Sequence, residues 1–207
     1  MSGQAPTWRA ERAFWRDGFG RVAGVDEVGR GPLAGPVVAG AVVMPQSRAR
    51  WVRALRDSKQ LPAAAREELA QEIRARTDWG LGFVSPQVID QLGILWATRL
   101  AMRRAVLALR ERPDALIVDG REVVYCGIEQ RAIIDADELC ISVSAASIIA
   151  KVARDALMCA YEETFPGYRF VENKGYATPE HRRALRDLGP STVHRLTWEP
   201  VRAAIRQ

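Results

Sequence analysis

The 207-residue sequence predicts a one-domain α/β fold with a helical C-terminal part. Short runs rich in Val, Ala and Ile, of strand length, recur along the first two-thirds of the chain. Longer segments between and after them place apolar residues at helical spacing. No internal repeat, linker or low-complexity stretch divides the chain.

Residues 1–20 read as a polar tail holding a short helix around Trp8 to Trp15. Residues 21–27 and 36–44 read as strands, and Trp79 to Ser85 as a third. Strand, turn, strand and a later strand predict an antiparallel meander. Pro62 to Arg76 reads as a helix, because proline suits the first turn. Ser85-Pro86 pairs an N-cap residue with proline at the first helical position. The helix it starts runs to about Arg110, with a break near Gly93, and carries Leu95, Leu100, Val106 and Leu107. Pro113 ends it. Ala115 to Gly120 is an apolar run closing on Asp119, the pattern of a buried parallel strand. Ala132-Ile133-Ile134 forms another run before Asp135 and Asp137. Ser144 to about Phe165 reads as a helix with Ala145, Ile148, Ile149, Val152, Ala156 and Cys159 on one face. Ser144, Ser147 and Lys151 share a neighbouring face. Thr178-Pro179-Glu180 opens a further helix, and Trp198 to Ile205 forms a last one.

Composition narrows the function. Thirty basic and 25 acidic residues leave a net charge of +5, which suits a polyanionic partner. Three cysteines without a C-x-x-C spacing argue against a disulfide framework or zinc ribbon. His181 and His194 are too few and too distant in sequence for a typical zinc site. No apolar signal core or membrane-length run occurs, so a reduced cytoplasmic compartment and no membrane are expected. The six tryptophans are scattered and read as core or packing residues rather than stacking platforms.

The chemistry sits at strand ends. Val25-Asp26-Glu27-Val28-Gly29-Arg30-Gly31-Pro32 ends one strand on two adjacent carboxylates and turns at once through glycines. Asp119 ends another strand, and Asp135 and Asp137 follow a third. One aspartate after a strand is ordinarily a turn residue or cap. Several strand ends meeting on one sheet edge would repel unless divalent cations neutralised them. Oxygen-only ligands select Mg²⁺ or Mn²⁺. Two such ions about 4 Å apart activate water and stabilise a leaving oxygen in phosphodiester hydrolysis. The Gly-rich segment is not a dinucleotide fingerprint, since Pro32, Gly35 and Pro36 prevent the helix that such a turn must open.

Asp26-Glu27-Val28-Gly29-Arg30-Gly31-Pro32-Leu33-Ala34-Gly35-Pro36-Val37 resembles the signature of ribonuclease HII, the type 2 ribonucleases H. Asp57-Ser58-Lys59, Val118-Asp119-Gly120, the helix from Ser144 to Val152, Lys174-Gly175-Tyr176 and His194-Arg195 follow in the family's order. The resemblance implies a ribonuclease H-like mixed five-stranded sheet flanked by helices, with a helical C-terminal extension. It implies a tail over 1–20, a catalytic core over 21–165 and a substrate-binding extension of the same domain over 166–207. The four acidic residues of the family carry over to Asp26, Glu27, Asp119 and Asp137, as catalytic residues and as ligands of two Mg²⁺ or Mn²⁺ ions. Asp137 stands seven residues before Ser144, and Asp135 replaces a lysine common in the family. Asp155 is a rival acid, better read as an i,i+4 partner of Lys151.

The implied activity is hydrolysis of the RNA strand of RNA–DNA hybrids and incision 5′ of a single ribonucleotide in duplex DNA. The products are a 3′-hydroxyl and a 5′-phosphate, and the roles are primer and ribonucleotide removal. Gly29, Arg30, Gly31 and Tyr176 are expected to read the 2′-hydroxyl. Lys59, Ser144, Ser147, Lys151 and Lys174 are expected at the substrate backbone, with Arg103-Arg104, Arg182-Arg183 and Arg195 extending the footprint. A monomer is the default. A binding module would lack one of the carboxylates, and a small-substrate phosphotransferase would not need the Gly-Arg-Gly turn with Lys174-Gly175-Tyr176.

Overall fold

The computed structural model describes residues 5–56, 58, 60–121 and 123–205, so Lys59 of the expected site lies outside the described residues. The elements, in order, are α1 (Arg9–Arg16), β1 (Val22–Val28), β2 (Val37–Val43), α2 (Arg50–Arg53), α3 (Ala63–Arg76) and β3 (Asp78–Val84). They continue with α4 (Pro86–Leu92), α5 (Ile94–Leu107), β4 (Ala115–Asp119), β5 (Glu129–Ile133) and α6 (Ala136–Leu139). The chain closes with α7 (Ile141–Thr164), α8 (Phe170–Asn173), α9 (Pro179–Leu188) and α10 (Glu199–Ile205).

Five strands form one mixed sheet in the order β3-β2-β1-β4-β5. The short connections among β1, β2 and β3 give the expected antiparallel meander. The helical crossover before β4 and the loop after it bring β4 and β5 in parallel to β1. β1, β3, β4 and β5 therefore end at one edge of the sheet.

Helix α5 covers one face, packing Ala97, Ala101 and Ala105 on Val25, Ala39 and Val118. Helix α7 covers the other, where Ala145, Ala146 and Ile149 join Val42 and α3. Its approach is unusually close: a Cβ added at Gly24 would lie 2.2 Å from the Ser142 carbonyl carbon. Glycine at this strand position lets the helix backbone lie against β1, beside the carboxylates two and three residues on.

Several expectations shift. α7 begins at Ile141, and its first ten residues are buried on all sides. In its second half the buried positions are Arg154 and Met158, while Ala156 is exposed. The C-terminal segment, not the sheet, covers that half, so the apolar face rotates. Pro62 is the N-cap of α3, outside its first turn. β5 starts at the polar Glu129 because pairing with β4, not apolarity, defines this edge strand. Gly93, at φ 76°, separates α4 from α5 as expected.

The N-terminal segment is docked. Buried Glu11 of α1 accepts hydrogen bonds from the Ser142 backbone N–H and hydroxyl, at 2.9 and 2.8 Å, at the start of α7. The C-terminal helices pack on the β1–β2 connection through Ala34, Met158, Phe170 and Val193, and through Leu33, Leu185 and Val201. All three cysteines are free thiols. No helix among the described residues is long and apolar enough to cross a membrane.

Candidate active site

Strand alternation puts Asp26 on the α7 face with Gly24, and Glu27 on the α5 face with Val25. At the sheet edge the two still meet Asp119: Asp26, Glu27 and Asp119 each offer an oxygen within 4.8 Å of the others. Asp119 Oδ1 accepts the Ala136 backbone N–H at 2.6 Å, so it seats the start of α6. That contact brings buried Asp137, one residue on, to the same edge. Asp137 lies outside the three-residue cluster, but its charge acts on both Asp26 and Asp119.

The electrostatics are those of crowded anions. Burial, then Glu27 and Asp119, push the Asp26 carboxyl well above its ordinary range, against a hydrogen bond from Ser147. Burial and then Asp137 raise Asp119, and Asp135 adds a smaller push in the same direction. Asp135 occupies the left-handed region at φ 56°, a conformation that aspartate tolerates better than most side chains. An oxygen-only donor set whose members repel one another fits a divalent cation, which would reverse the sign of every one of these interactions.

The turn after β1 is held from behind. Gly29 has φ 88°, and a Cβ there would lie 2.2 Å from Arg154 Nε and 2.8 Å from the Pro36 carbonyl oxygen. Arg154 and Arg195 are both fully buried. Arg154 donates to the carbonyls of Pro36, Ala34 and Lys174 at 3.0, 3.1 and 2.9 Å. Arg195 donates to the carbonyls of Arg30 at 2.7 Å, of Gly29, and of Gly35 at 3.0 Å, with its guanidinium over the Trp198 ring. The expectation that Arg195 extends a surface footprint is therefore corrected: it is an internal strut. Burial and the Arg154 charge depress its pKa, yet an arginine remains a cation at neutral pH. The only sequence signal for this strut is the His194-Arg195 motif itself.

Tyr176 stands across from the turn. A Cβ at Gly31 would lie 3.8 Å from the Tyr176 ring, and the tyrosine is 43% exposed. Its loop is joined to the turn by the Leu33 N–H donating to the Gly175 carbonyl at 2.8 Å. Arg30 reaches back to Glu27, 3.2 Å away.

Ser144, Ser147, Lys151 and Lys174 are engaged within the protein. The Ser144 hydroxyl donates to the Arg56 carbonyl at 2.9 Å, and Ser147 lies 3.0 Å from the Ser58 hydroxyl. The two serines thus hold Arg56 and Ser58; Asp57 and Lys59 lie outside the described residues. Lys151 pairs with Asp155 at 2.9 Å, as the i,i+4 reading expects. Lys174 Nζ donates to the Val171 carbonyl at 2.7 Å and lies 3.0 Å from Cys159 Sγ. His181 and His194, distant in sequence, meet at 3.1 Å between Nε2 atoms, buried against Tyr168 and Phe170.

A mixed sheet presenting convergent carboxylates beside a rigid glycine turn defines a ribonuclease H-like hydrolase. The chain belongs to the ribonuclease HII family, whose profile matches residues 23–201. It is similar to ribonuclease HII of Moorella thermoacetica, 51% identical over 190 residues and 91% of each chain. Ribonuclease HII of Dehalococcoides mccartyi is 47% identical, covering 96% of this chain and 95% of that one. The crystal structure of ribonuclease H2 from Pyrococcus horikoshii superposes with a TM-score of 0.76 at 29% identity, over 90% of this chain and 97% of that one. The ribonuclease HII of Archaeoglobus fulgidus, solved in a PCNA complex, gives 0.74 at 30% identity, over 90% and 97%. The chain is accordingly an endoribonuclease of a family that cleaves the RNA of RNA–DNA hybrids.

Proposed function

We propose that this protein uses divalent metal to hydrolyse the RNA strand of RNA–DNA hybrids and to incise duplex DNA on the 5′ side of a single embedded ribonucleotide, leaving a 3′-hydroxyl and a 5′-phosphate. The observation that carries the reading is the convergence of Asp26, Glu27 and Asp119 within 4.8 Å beside the clamped Gly29–Gly31 turn. Asp26, Glu27, Asp119 and Asp137 would hold two Mg²⁺ or Mn²⁺ ions, Asp26 shared between them. Such ions, when bound, supply charge neutralisation at the scissile phosphate and Lewis acidity toward water and the leaving oxygen.

The chain's own residues supply position and choice. The Gly29–Gly31 backbone, free of Cβ atoms at both glycines, presents polar groups that a 2′-hydroxyl can approach and bond. Tyr176 closes the opposite side with a ring that packs on the sugar. Arg154 and Arg195 bond only carbonyls, so the turn keeps its shape without competing for substrate. Lys151 and Lys174 would meet phosphates once Asp155 and the Val171 carbonyl yield them, and Lys59 is assigned the same role from its motif alone. The cytoplasm and a monomeric state are part of this reading.

The test is incision of an end-labelled DNA duplex holding one ribonucleotide, with Mg²⁺, Mn²⁺ or chelator, beside an all-DNA control. A metal-dependent cut 5′ of the ribonucleotide is expected. Binding without any cut in either metal would replace the reading with that of a binding module.

A further inference from the structure

Trp96 and Tyr125 stand outside every role assigned above. Their rings stack, with centroids 5.7 Å apart and planes 24° from parallel, although one belongs to α5 and the other to the β4–β5 connection. They are 52% and 54% exposed. Arg99, three residues after Trp96, lays its guanidinium 4.9 Å from the Trp96 centroid and 5.6 Å from that of Tyr125. Rings of this size are ordinarily buried, and the reading of all tryptophans as packing residues fails here.

Trp96 sits on the part of α5 nearer the catalytic edge. Glu27 pairs across β2 with Ala39, and Ala39 with Gly82, so Gly82 is level with Glu27. Gly82 backs onto Ala101 of α5, and Gly80 onto Ala105. Helix α5 therefore runs antiparallel to β3. Trp96 lies five residues before Ala101, about 7.5 Å of helix farther toward the edge that carries the carboxylates. It is also on the Glu27 side of the sheet.

Charge selects the occupant. α5 carries Arg99, Arg103 and Arg104 and no acidic residue. Arg103 and Arg112 both act electrostatically on Cys126, the neighbour of Tyr125. Half-exposed aromatic rings among guanidinium groups suit nucleobases carried on a phosphate backbone. Bases inside a duplex are covered on both faces, whereas an unpaired base on a single-stranded tail offers a free one.

We propose that Trp96, Tyr125 and Arg99 form a stacking platform for an unpaired base on a single-stranded extension of the duplex that the active site cuts. The proposal rests on the reading of that site as one for nucleic acid, and gives the enzyme a preference for ribonucleotides beside flaps or overhangs.

The test is a fluorescence-anisotropy titration of the full chain, in chelator, against a labelled ribonucleotide-containing duplex. The duplex is blunt or carries a short oligothymidine tail at either end. The tailed duplex with its preferred polarity should bind about tenfold more tightly, the size of one base stacked on an aromatic ring. Trp96→Ala and Tyr125→Ala should bring that ratio close to one, and Trp96→Phe should keep most of it. A ratio near one in the unsubstituted protein, or one unchanged by the alanine variants, overturns the platform. So does a dimer in light scattering that Trp96→Ala dissociates, which would assign the face to a second copy. Blunt-duplex incision by the unsubstituted protein is scored separately with Mg²⁺, and its loss would count against the active-site reading and not against the tail ratio.

Discussion

Asp119 does two jobs. It meets Asp26 and Glu27 at the sheet edge, and its Oδ1 accepts the Ala136 N–H that seats α6. Asp119→Asn keeps the shape but removes a charge that the other carboxylates oppose. We expect incision to fall by at least about 10²-fold, the usual scale for one electrostatic group in such a site. The melting temperature should not drop, since repulsion is relieved; a large drop would show that the side chain matters chiefly for folding. Tyr176 is different, being half-exposed and far from the carboxylates in sequence. Tyr176→Ala should lower cleavage at a single ribonucleotide more than it lowers duplex binding, as measured by kcat against KM. Equal cleavage rates in the variant and the parent would remove it from substrate reading.

Among the elements, the C-terminal segment acts as a brace for the β1–β2 connection. Arg195→Lys keeps the charge but loses the planar fork that serves three carbonyls at once. At least one buried carbonyl then lacks a donor, at a cost of about 1–3 kcal/mol. Stability measured in urea should fall by that amount, and discrimination between ribonucleotide and all-DNA duplexes should fall with it. The same segment carries the His181–His194 pair. Ser191 N–H donates to His194 Nδ1 at 3.0 Å, so His194 presents Nε2–H to His181, which in turn donates from Nδ1 to the Tyr176 carbonyl at 2.8 Å. That chain needs both rings neutral. Burial, and then His181, lower His194 to about 4, against an ordinary value near 6.5. A histidine depressed in the folded state contributes stability above about pH 6.5 that is lost as pH falls toward 4. The loss amounts to roughly 3 kcal/mol. Melts at pH 7 and pH 4.5 should differ more for the parent than for His194→Gln. The carboxylate cluster works in the opposite direction, and His194→Gln leaves it untouched.

At the scale of the whole molecule, the sheet gathers like charge at one edge. Metal that binds the folded chain but not the unfolded chain must stabilise it by mass action. Mg²⁺ at about 100 times its dissociation constant should add roughly 2.7 kcal/mol and raise the melting temperature, an effect that chelator reverses and that shrinks in Asp119→Asn. A melting temperature indifferent to Mg²⁺ and Mn²⁺ would argue against metal at these carboxylates.

The order of the longer elements, the meander, the break at Gly93 and the acidic strand ends were legible in the sequence alone, because these depend on local periodicity, turn chemistry and short connections; the four-residue helices α2, α6 and α8 were not. It also carried the motifs of the family, since glycines and carboxylates at fixed spacing are visible without coordinates. It could not show that Arg195 and Arg154 are internal, because a buried arginine is recognised only by the carbonyls that surround it. Glu11 looked like part of a polar tail, and its burial follows from where α7 begins. The histidines are far apart in sequence, so nothing local signals their contact, and Trp96 reads as one more core or packing residue. In each case the deciding quantity is which surfaces the folded chain brings together or leaves uncovered. That is fixed by contacts between residues tens to hundreds of positions apart, on which the local pattern is silent.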